Sequence, residues 1–313
     1  MIYLTESDVR RFLPMKDCVQ LMRSAFQHLA SGEALNQPRR RLILPTRSTL
    51  HYMAGSDGRY FGTKIYYTNP RSGARFLFLL YRAADAALLA ILEANHLGQI
   101  RTGAVSGLAT SLLARPDSRT VALIGTGFQA QTQLEATLAV MKPEQIRVWS
   151  RSSEKRATFS TECGERFGVR IDAGRSAEDA VRGADIVITA TSASEPVVES
   201  SWVSAGAHIN AVGSNRAQHR ELPADLIHRS GLIVVDSREQ SRMESGDLLM
   251  ALDDAGWDRT VELADVAAGR SKRNDPSEIT LFKSNGLAVE DVAAAGLVYE
   301  RAVAAGVGRP IYS

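Results

Sequence analysis

Val121-Ala122-Leu123-Ile124-Gly125-Thr126-Gly127-Phe128-Gln129-Ala130 decides the fold. Four apolar residues suited to a buried strand run directly into Gly-x-Gly-x-x-Ala, which opens a helical segment. This strand-turn-helix context is the one the dinucleotide fingerprint requires. Gly125 permits the tight turn, Gly127 lets backbone approach a pyrophosphate at the helix N-terminus, and small Ala130 lets the helix pack closely on the strand. With Thr126, Phe128 and Gln129, these residues are the expected cradle of a nicotinamide dinucleotide. Glycines that serve only a structural turn are the alternative.

The following strand, Ile146-Arg147-Val148-Trp149, ends where an NAD-type site commonly places an acidic residue on the ribose 2′-hydroxyl, about 20 residues beyond the fingerprint. Ser150 and Arg151 stand there instead, with Arg156 nearby. A carboxylate repels a 2′-phosphate, whereas a guanidinium and a hydroxyl can bind one, so NADP(H) is expected over NAD(H). The alternative is that Arg151 is a solvated loop arginine and NAD binds without an acidic anchor.

Downstream the β-then-α grammar continues through a helix from Ser153 and the strands Ile186 to Ile188, His208 to Val212 and Leu232 to Val235. Such alternation predicts a doubly wound parallel sheet of Rossmann type in an α/β protein. Upstream, Arg115-Pro116-Asp117-Ser118 reads as a linker, preceded by a small-residue helix over Gly103 to Leu113. Before that, Leu42 to Leu44, Leu50 to Met53, Tyr60 to Gly62, Lys64 to Tyr67, Phe76 to Tyr81 and Ala87 to Leu92 are short runs separated by turn residues. They predict an antiparallel or mixed sheet. Apolar spacing from Val9 to Phe26 predicts a helix interrupted near Pro14, and Ala-rich Val289 to Ala305 predicts a last helix able to pack back on the first domain.

With 313 residues the chain is long enough for two domains, and 37 Lys+Arg against 35 Asp+Glu give a net charge of +2. Such balance makes no case for nucleic acid or an anionic membrane surface. The greasiest stretch, Phe76 to Ala94, is broken by Arg82, Asp85 and Glu93, so no membrane partner is expected. The N-terminus lacks a signal-peptide pattern, which makes the cytoplasm the expected compartment. Cys18 and Cys163 form neither a disulfide framework nor a paired metal motif, and the six histidines show no ligand spacing. No metal is expected. Asp247 and the pair Glu290-Asp291 read as structural residues at helix starts.

Several segments together resemble the ornithine cyclodeaminase/mu-crystallin family over nearly the whole chain. They are the Gly-Thr-Lys-Ile strand with Lys64, Gln99 to Ala104 with Arg101, Gly125 to Ala130, His208 to Ser214, Glu221-Leu222, Ser245 to Asp247, and Phe282 to Asp291. The resemblance implies a homodimer in which a Rossmann domain, 114–285, is inserted into an α+β substrate and dimerisation domain, 1–113 plus 286–313. The boundaries read from the residues agree with that. Val212 and Gly213, at the end of a family segment, are carried over as cofactor-binding residues.

Members of this family act at the α-carbon of a small amino or imino acid, as ketimine or cyclic imine reductases, amino-acid dehydrogenases or ornithine cyclodeaminases. A non-catalytic NADPH-binding protein of the crystallin type is a further reading. The resemblance implies that the substrate carboxylate is held by Lys64, Arg101 and one arginine of Arg39-Arg40-Arg41. Counting back from Pro45 favours Arg41, and counting forward from Gln37-Pro38 favours Arg40. Lys64 and Arg101 are the catalytic candidates, with Lys64 also suited to proton transfer. In blander terms Lys64 is a strand lysine covering apolar surface and Arg101 merely pairs with a carboxylate. Asn215 stands where ornithine cyclodeaminase has the aspartate that aids ring closure. An amide is no general base near neutral pH, so imine reduction is expected over cyclodeamination, with Asn215 a substrate-binding candidate or a turn residue.

Overall fold

The computed structural model describes residues 1–311. The chain divides into two compact units, Met1–Ala104 with Gly286 onward, and Val105–Asn285.

In the first unit a short strand β1 (Ile2–Leu4) leads into α1 (Glu6–Phe12), whose Thr5 and Asp8 form a reciprocal capping box. Pro14 separates α1 from α2 (Met15–Ser31), and Gly32, with φ 80°, ends α2 in the left-handed region. Strands β2 (Leu35–Ile43), β3 (Thr49–Ser56), β4 (Tyr60–Asn69), β5 (Gly73–Arg82) and β6 (Leu88–Glu93) follow, then α3 (Asn95–Leu113). The division between the units falls inside α3, between Ala104 and Val105, whereas the sequence places the boundary after Leu113. The helix also begins eight residues before Gly103, because the Glu6 carboxylate accepts the N–H groups of Asn95 (2.7 Å) and His96 (2.9 Å). A cap supplied from that far along the chain leaves no local signal.

The second unit contains β7 (Thr120–Ile124), α4 (Phe128–Val140), β8 (Gln145–Trp149), α5 (Ser153–Phe167), β9 (Asp172–Ala173), α6 (Ala177–Val181) and β10 (Ile186–Thr189). It continues with β11 (His208–Ala211), α7 (Ala224–Arg229), β12 (Ser230–Val235), α8 (Arg238–Glu244), α9 (Gly246–Leu249), α10 (Asp254–Asp258), β13 (Val261–Glu262), α11 (Leu263–Ala267) and β14 (Ile279–Lys283). The eight strands are parallel in the order β13-β12-β14-β11-β10-β7-β8-β9. From β7 the chain moves outward through β8 and β9, then returns to β10 and builds the other half, which is the doubly wound arrangement. Both faces are covered: Ala122 and Ile124 enter one apolar core, while Val121 and Leu123 enter the other. This is why β7 reads as a continuous apolar run rather than an alternation.

The chain returns to the first unit as α12 (Ala288–Ala304) and β15 (Arg309–Pro310). There the sheet has the order β15-β1-β6-β5-β4-β3-β2, with β1 and β6 parallel and the remaining pairs antiparallel. Helix α12 packs on β2 to β5 and against α1 and α2. Its approach is close enough that a Cβ on Gly55 would lie 2.8 Å from the Val289 nitrogen. The molecule is thus a Rossmann-type α/β sheet inserted into a second, α+β domain. Among the described residues no helix is long and apolar enough to cross a membrane.

Candidate active site

The second unit opens a cleft of about 1230 Å³ beyond the carboxyl ends of β7, β8 and β10, where the winding of the sheet reverses. Gly125, Thr126, Gly127, Phe128 and Gln129 line it, and Ala130, on the first turn of α4, is buried. Gly125 has φ 115°, and a Cβ there would meet the Ala190 carbonyl oxygen at 2.4 Å. Gly127 is the N-cap of α4 with no side-chain cap, and a Cβ at that position would meet nothing within 4 Å. First-turn amides that lack a side-chain cap beneath open space suit an anion, and a pyrophosphate fits this cradle.

At the end of β8 the Ser150 hydroxyl accepts from the Thr126 hydroxyl (3.1 Å) and donates to the Ser152 carbonyl (3.2 Å), so it stands beside the fingerprint. Arg151 lines the same cleft and is exposed. Arg156, grouped with these by sequence, instead donates to the Ser150 carbonyl at 2.6 Å and braces the turn. The second cation on the cleft is Lys155, which sequence reasoning passed over. Its signal was available: Ser152 caps α5 by accepting from the Lys155 N–H, which places that side chain on the first turn one helical step from Arg151.

The far wall rests on buried charges. Glu221, fully buried, accepts from the Thr189 hydroxyl, the Thr191 N–H and hydroxyl, and the Gly213 N–H at 2.7 to 2.9 Å. Burial raises its carboxyl above the ordinary range, opposed by Lys283 and by the bonds from Thr191. Asp247, on the first turn of α9 as the sequence predicts, is buried: its Oδ1 accepts the N–H groups of Glu221 (2.6 Å) and Leu222 (3.0 Å), and its Oδ2 pairs with buried Lys283 at 2.9 Å. Lys283 also donates to the Ser214 carbonyl at 2.6 Å. These bonds fix the loop after β11. Within it Gly213 borders the cleft, where a Cβ would meet the Thr191 carbonyl oxygen at 2.3 Å, whereas Val212 packs into the core. Asn215 is half-buried two positions on.

The first unit brings together five charged side chains. Lys64 on β4, Arg101 on α3, and Glu290 and Asp291 on the first turn of α12 are each at most 4% exposed, as is Arg39 on β2. Lys64 Nζ donates to Asp291 Oδ1 at 3.0 Å, and Arg101 Nε donates to the same oxygen at 3.1 Å. Arg101 Nη1 donates to Glu290 Oε2 at 2.5 Å. Glycines make room for the cations: a Cβ on Gly98 would lie 2.6 Å from Lys64 Nζ, and one on Gly286 would lie 2.4 Å from Arg101 Nη1. Asp291 is therefore an ion-pair partner of both candidate residues and Glu290 of Arg101, roles that local sequence does not announce. Burial pulls Lys64 down to about 8, with Asp291 pulling upward and Arg101 and Arg39 downward. For Arg101 burial also disfavours the charge, but Asp291 and Glu290 outweigh it and hold the guanidinium above its ordinary value.

The three arginines of the run lie in different surroundings. Gln37 pairs with Ala54 and Arg40 with Tyr52, so Pro38 and Arg39 together oppose Met53 in a β-bulge. The bulge turns Arg39 inward, into the row of Met53 and Lys64, where it donates to the Gly286 carbonyl at 3.4 Å. Arg40 consequently lies on the exposed face, in register with Tyr52, Ile65 and Leu77. Arg41 is half-buried at the end of the next inner row, His51, Tyr66 and Phe76, whose rings stack at 4.3 and 4.5 Å. A bulge in a run of three arginines shifts the inward register by one, which counting from either proline cannot reveal.

Residues 1–306 match the model of the ornithine cyclodeaminase/mu-crystallin family. The chain is 40% identical over 227 residues to the Delta(1)-pyrroline-2-carboxylate reductase of Bacillus cereus, covering 71% of this chain and 70% of that one. It is 41% identical over 223 residues to the ketimine reductase mu-crystallin of Mus musculus, covering 71% and 68%. Its fold matches the structure of Thermococcus litoralis Delta(1)-pyrroline-2-carboxylate reductase in complex with NADH and L-proline, with a TM-score of 0.94, 34% identity, and 99% and 100% coverage. The protein belongs to the ornithine cyclodeaminase/mu-crystallin family.

Proposed function

We propose that the protein is a nicotinamide-dependent reductase of a C=N bond at the α-carbon of an imino acid, a ketimine or cyclic imine, with the related amination of an α-keto acid as the same chemistry. The observation that carries this reading is the buried cluster of the first unit. Three cations, Arg39, Lys64 and Arg101, face two carboxylates, Glu290 and Asp291, which leaves one positive charge for a substrate bearing one carboxylate. Names among the relatives, a pyrroline-2-carboxylate reductase and a ketimine reductase, support the same substrate class.

In this reading Arg39 and Arg101 orient the substrate carboxylate as fixed charges, since guanidinium groups do not deprotonate near neutral pH. Lys64 gives a proton from Nζ to the imine nitrogen and regains one from solvent. A dihydronicotinamide held by the Gly125 to Ala130 turn would supply the hydride for the α-carbon, so that with the proton from Lys64 the C=N bond would become CH–NH. Only the ammonium form of Lys64 donates, and that form is depleted above about pH 8, so turnover should fall as pH rises through that value. Gly125 to Ala130 and Gly213 hold the dinucleotide in the second unit. Arg151 and Lys155 with Ser150 form a 2′-phosphate site, which favours NADP(H) over NAD(H).

Cyclodeamination of ornithine is disfavoured because Asn215 offers neither a base nor a full charge to an ammonium group. Self-association in a homodimer accounts for the outer face of the first sheet, where Leu42, Leu50 and Tyr67 form one exposed apolar row and Tyr52, Ile65 and Leu77 another. Sedimentation equilibrium should return the mass of two chains. The reaction is tested by following dihydronicotinamide absorbance with a panel of cyclic imines and of α-keto acids plus ammonia. Oxidation with at least one imine is expected. Inertness toward the whole panel, with release of ammonia from ornithine, would overturn the reading.

A further inference from the structure

Beyond the groups assigned to substrate, the cluster contains a carboxylate oxygen that two of them share. Asp291 Oδ1 accepts from Lys64 Nζ on β4 and from Arg101 Nε on α3, and Asp291 is 0% exposed. Its neighbour Glu290 accepts from Arg101 Nη1. We propose that Asp291 is the positioning residue of the reaction: it sets the spacing of Lys64 and Arg101 and keeps Lys64 in its proton-donating form. The proposal rests on the imine-reductase reading.

The other groups that face Lys64 make this role necessary. Arg39 comes from β2 and Arg101 from α3, both cations, and Lys64 Nζ also lies 5.4 Å from the centre of the Phe76 ring on β5. His51 and Tyr66 stand in the next row of the same face, and Cys18, buried on α2, is near Glu290, Arg101 and Asp291. Burial and two guanidinium groups therefore all act to strip the proton from Lys64, and among the described residues Asp291 is the one carboxylate hydrogen-bonded to it. Glu290, bonded to Arg101, balances charge without touching the donor.

The division of labour gives a test in which the two acids behave differently. Asp291→Asn keeps size and shape but removes the charge. The alkaline limb of kcat for imine reduction should move about one to three pH units lower, the range for loss of an opposite charge at contact distance. Glu290→Gln should raise KM and leave that limb in place. Gly98→Ala gives an independent perturbation, since the added methyl would lie 2.6 Å from Lys64 Nζ and would displace the flexible end of that side chain from the place where it bonds Asp291 at 3.0 Å. It should lower kcat and move the limb in the same direction, with KM changed less than twofold. Calorimetric titration with L-proline across the same pH range reports the ionisation without turnover, and its affinity should fall at a lower pH in Asp291→Asn.

An unmoved limb in both Asp291→Asn and Gly98→Ala, in a protein that still reduces imines, overturns the role given to Asp291 and leaves the reductase reading intact. An equal shift in Glu290→Gln overturns it as well, because bulk charge rather than the shared contact would then set the limb. Absence of imine reduction and of L-proline binding in the unmutated protein overturns both.

Discussion

Replacing Arg151 with alanine should separate the two forms of the cofactor. Arg151 and Lys155 are exposed on the cleft, and neither forms an ion pair among the described residues, so both charges are available to a 2′-phosphate. One charge-assisted contact is worth about 1.5 to 3 kcal/mol, or roughly 10- to 150-fold in Kd. Exposure and a Debye length of about 8 Å at physiological salt place Arg151 in the lower half of that range. Arg151→Ala should thus weaken NADPH by about 10- to 30-fold and NADH by less than about threefold, and adding Lys155→Ala should widen the gap. Trp149 lines the same cleft, so titrating its fluorescence with each cofactor measures both constants. The gap should narrow as salt is raised. Equal affinity of the unmutated protein for the two cofactors, or a parallel loss of both in the variant, would refute the phosphate assignment.

Two further outcomes follow from burial. Arg39→Met removes a buried cation from the carboxylate cluster and should raise KM for the imine by at least about 10-fold, whereas Arg40→Met on the outer face should change it by less than about threefold; steady-state kinetics of the pair decides, and the reverse order would contradict the bulge-based assignment. His208, buried between Thr280 and Asn210, is pushed down to about 3 by burial and then by Arg273. The unfolded chain therefore takes up a proton near pH 6.5 that the folded chain refuses, and stability is lost as pH falls from about 6.5 toward about 3. Urea unfolding should show roughly 2 to 3 kcal/mol less stability at about pH 4.5 than at about pH 7 from this group, and His208→Gln should remove that part of the slope.

The parts legible in the sequence were those written in local pattern. The run from Val121 to Ala130 placed β7, the turn and α4, because strand burial on both faces and the glycine turn are properties of adjacent residues. Alternation over Leu50 to Met53 and Lys64 to Tyr67 likewise marked β3 and β4. What escaped was set by distant partners. Strand β1 has three residues and exists because it pairs with β6 and β15. Helix α3 starts early because Glu6 caps it. Strand β14, which lies between β11 and β12, was not read as a strand, and only its last two residues, Phe282 and Lys283, fell within a family segment. In the candidate site, Lys64 and Arg101 were found by resemblance. Their carboxylate partners on α12, the inward turn of Arg39 and the cation at Lys155 became visible only with the register of β2 and the packing of the helices.

The central claim is that hydride reaches the α-carbon of an imino acid, and deuterium tests it most directly. The protein would be supplied with dihydronicotinamide adenine dinucleotide phosphate carrying deuterium at both C4 positions and with Delta(1)-pyrroline-2-carboxylate, and the amino acid formed would be examined by mass spectrometry and proton NMR. One deuterium per molecule of product, located at the α-carbon, is the predicted result. Product free of label, or label at any other carbon, would contradict it.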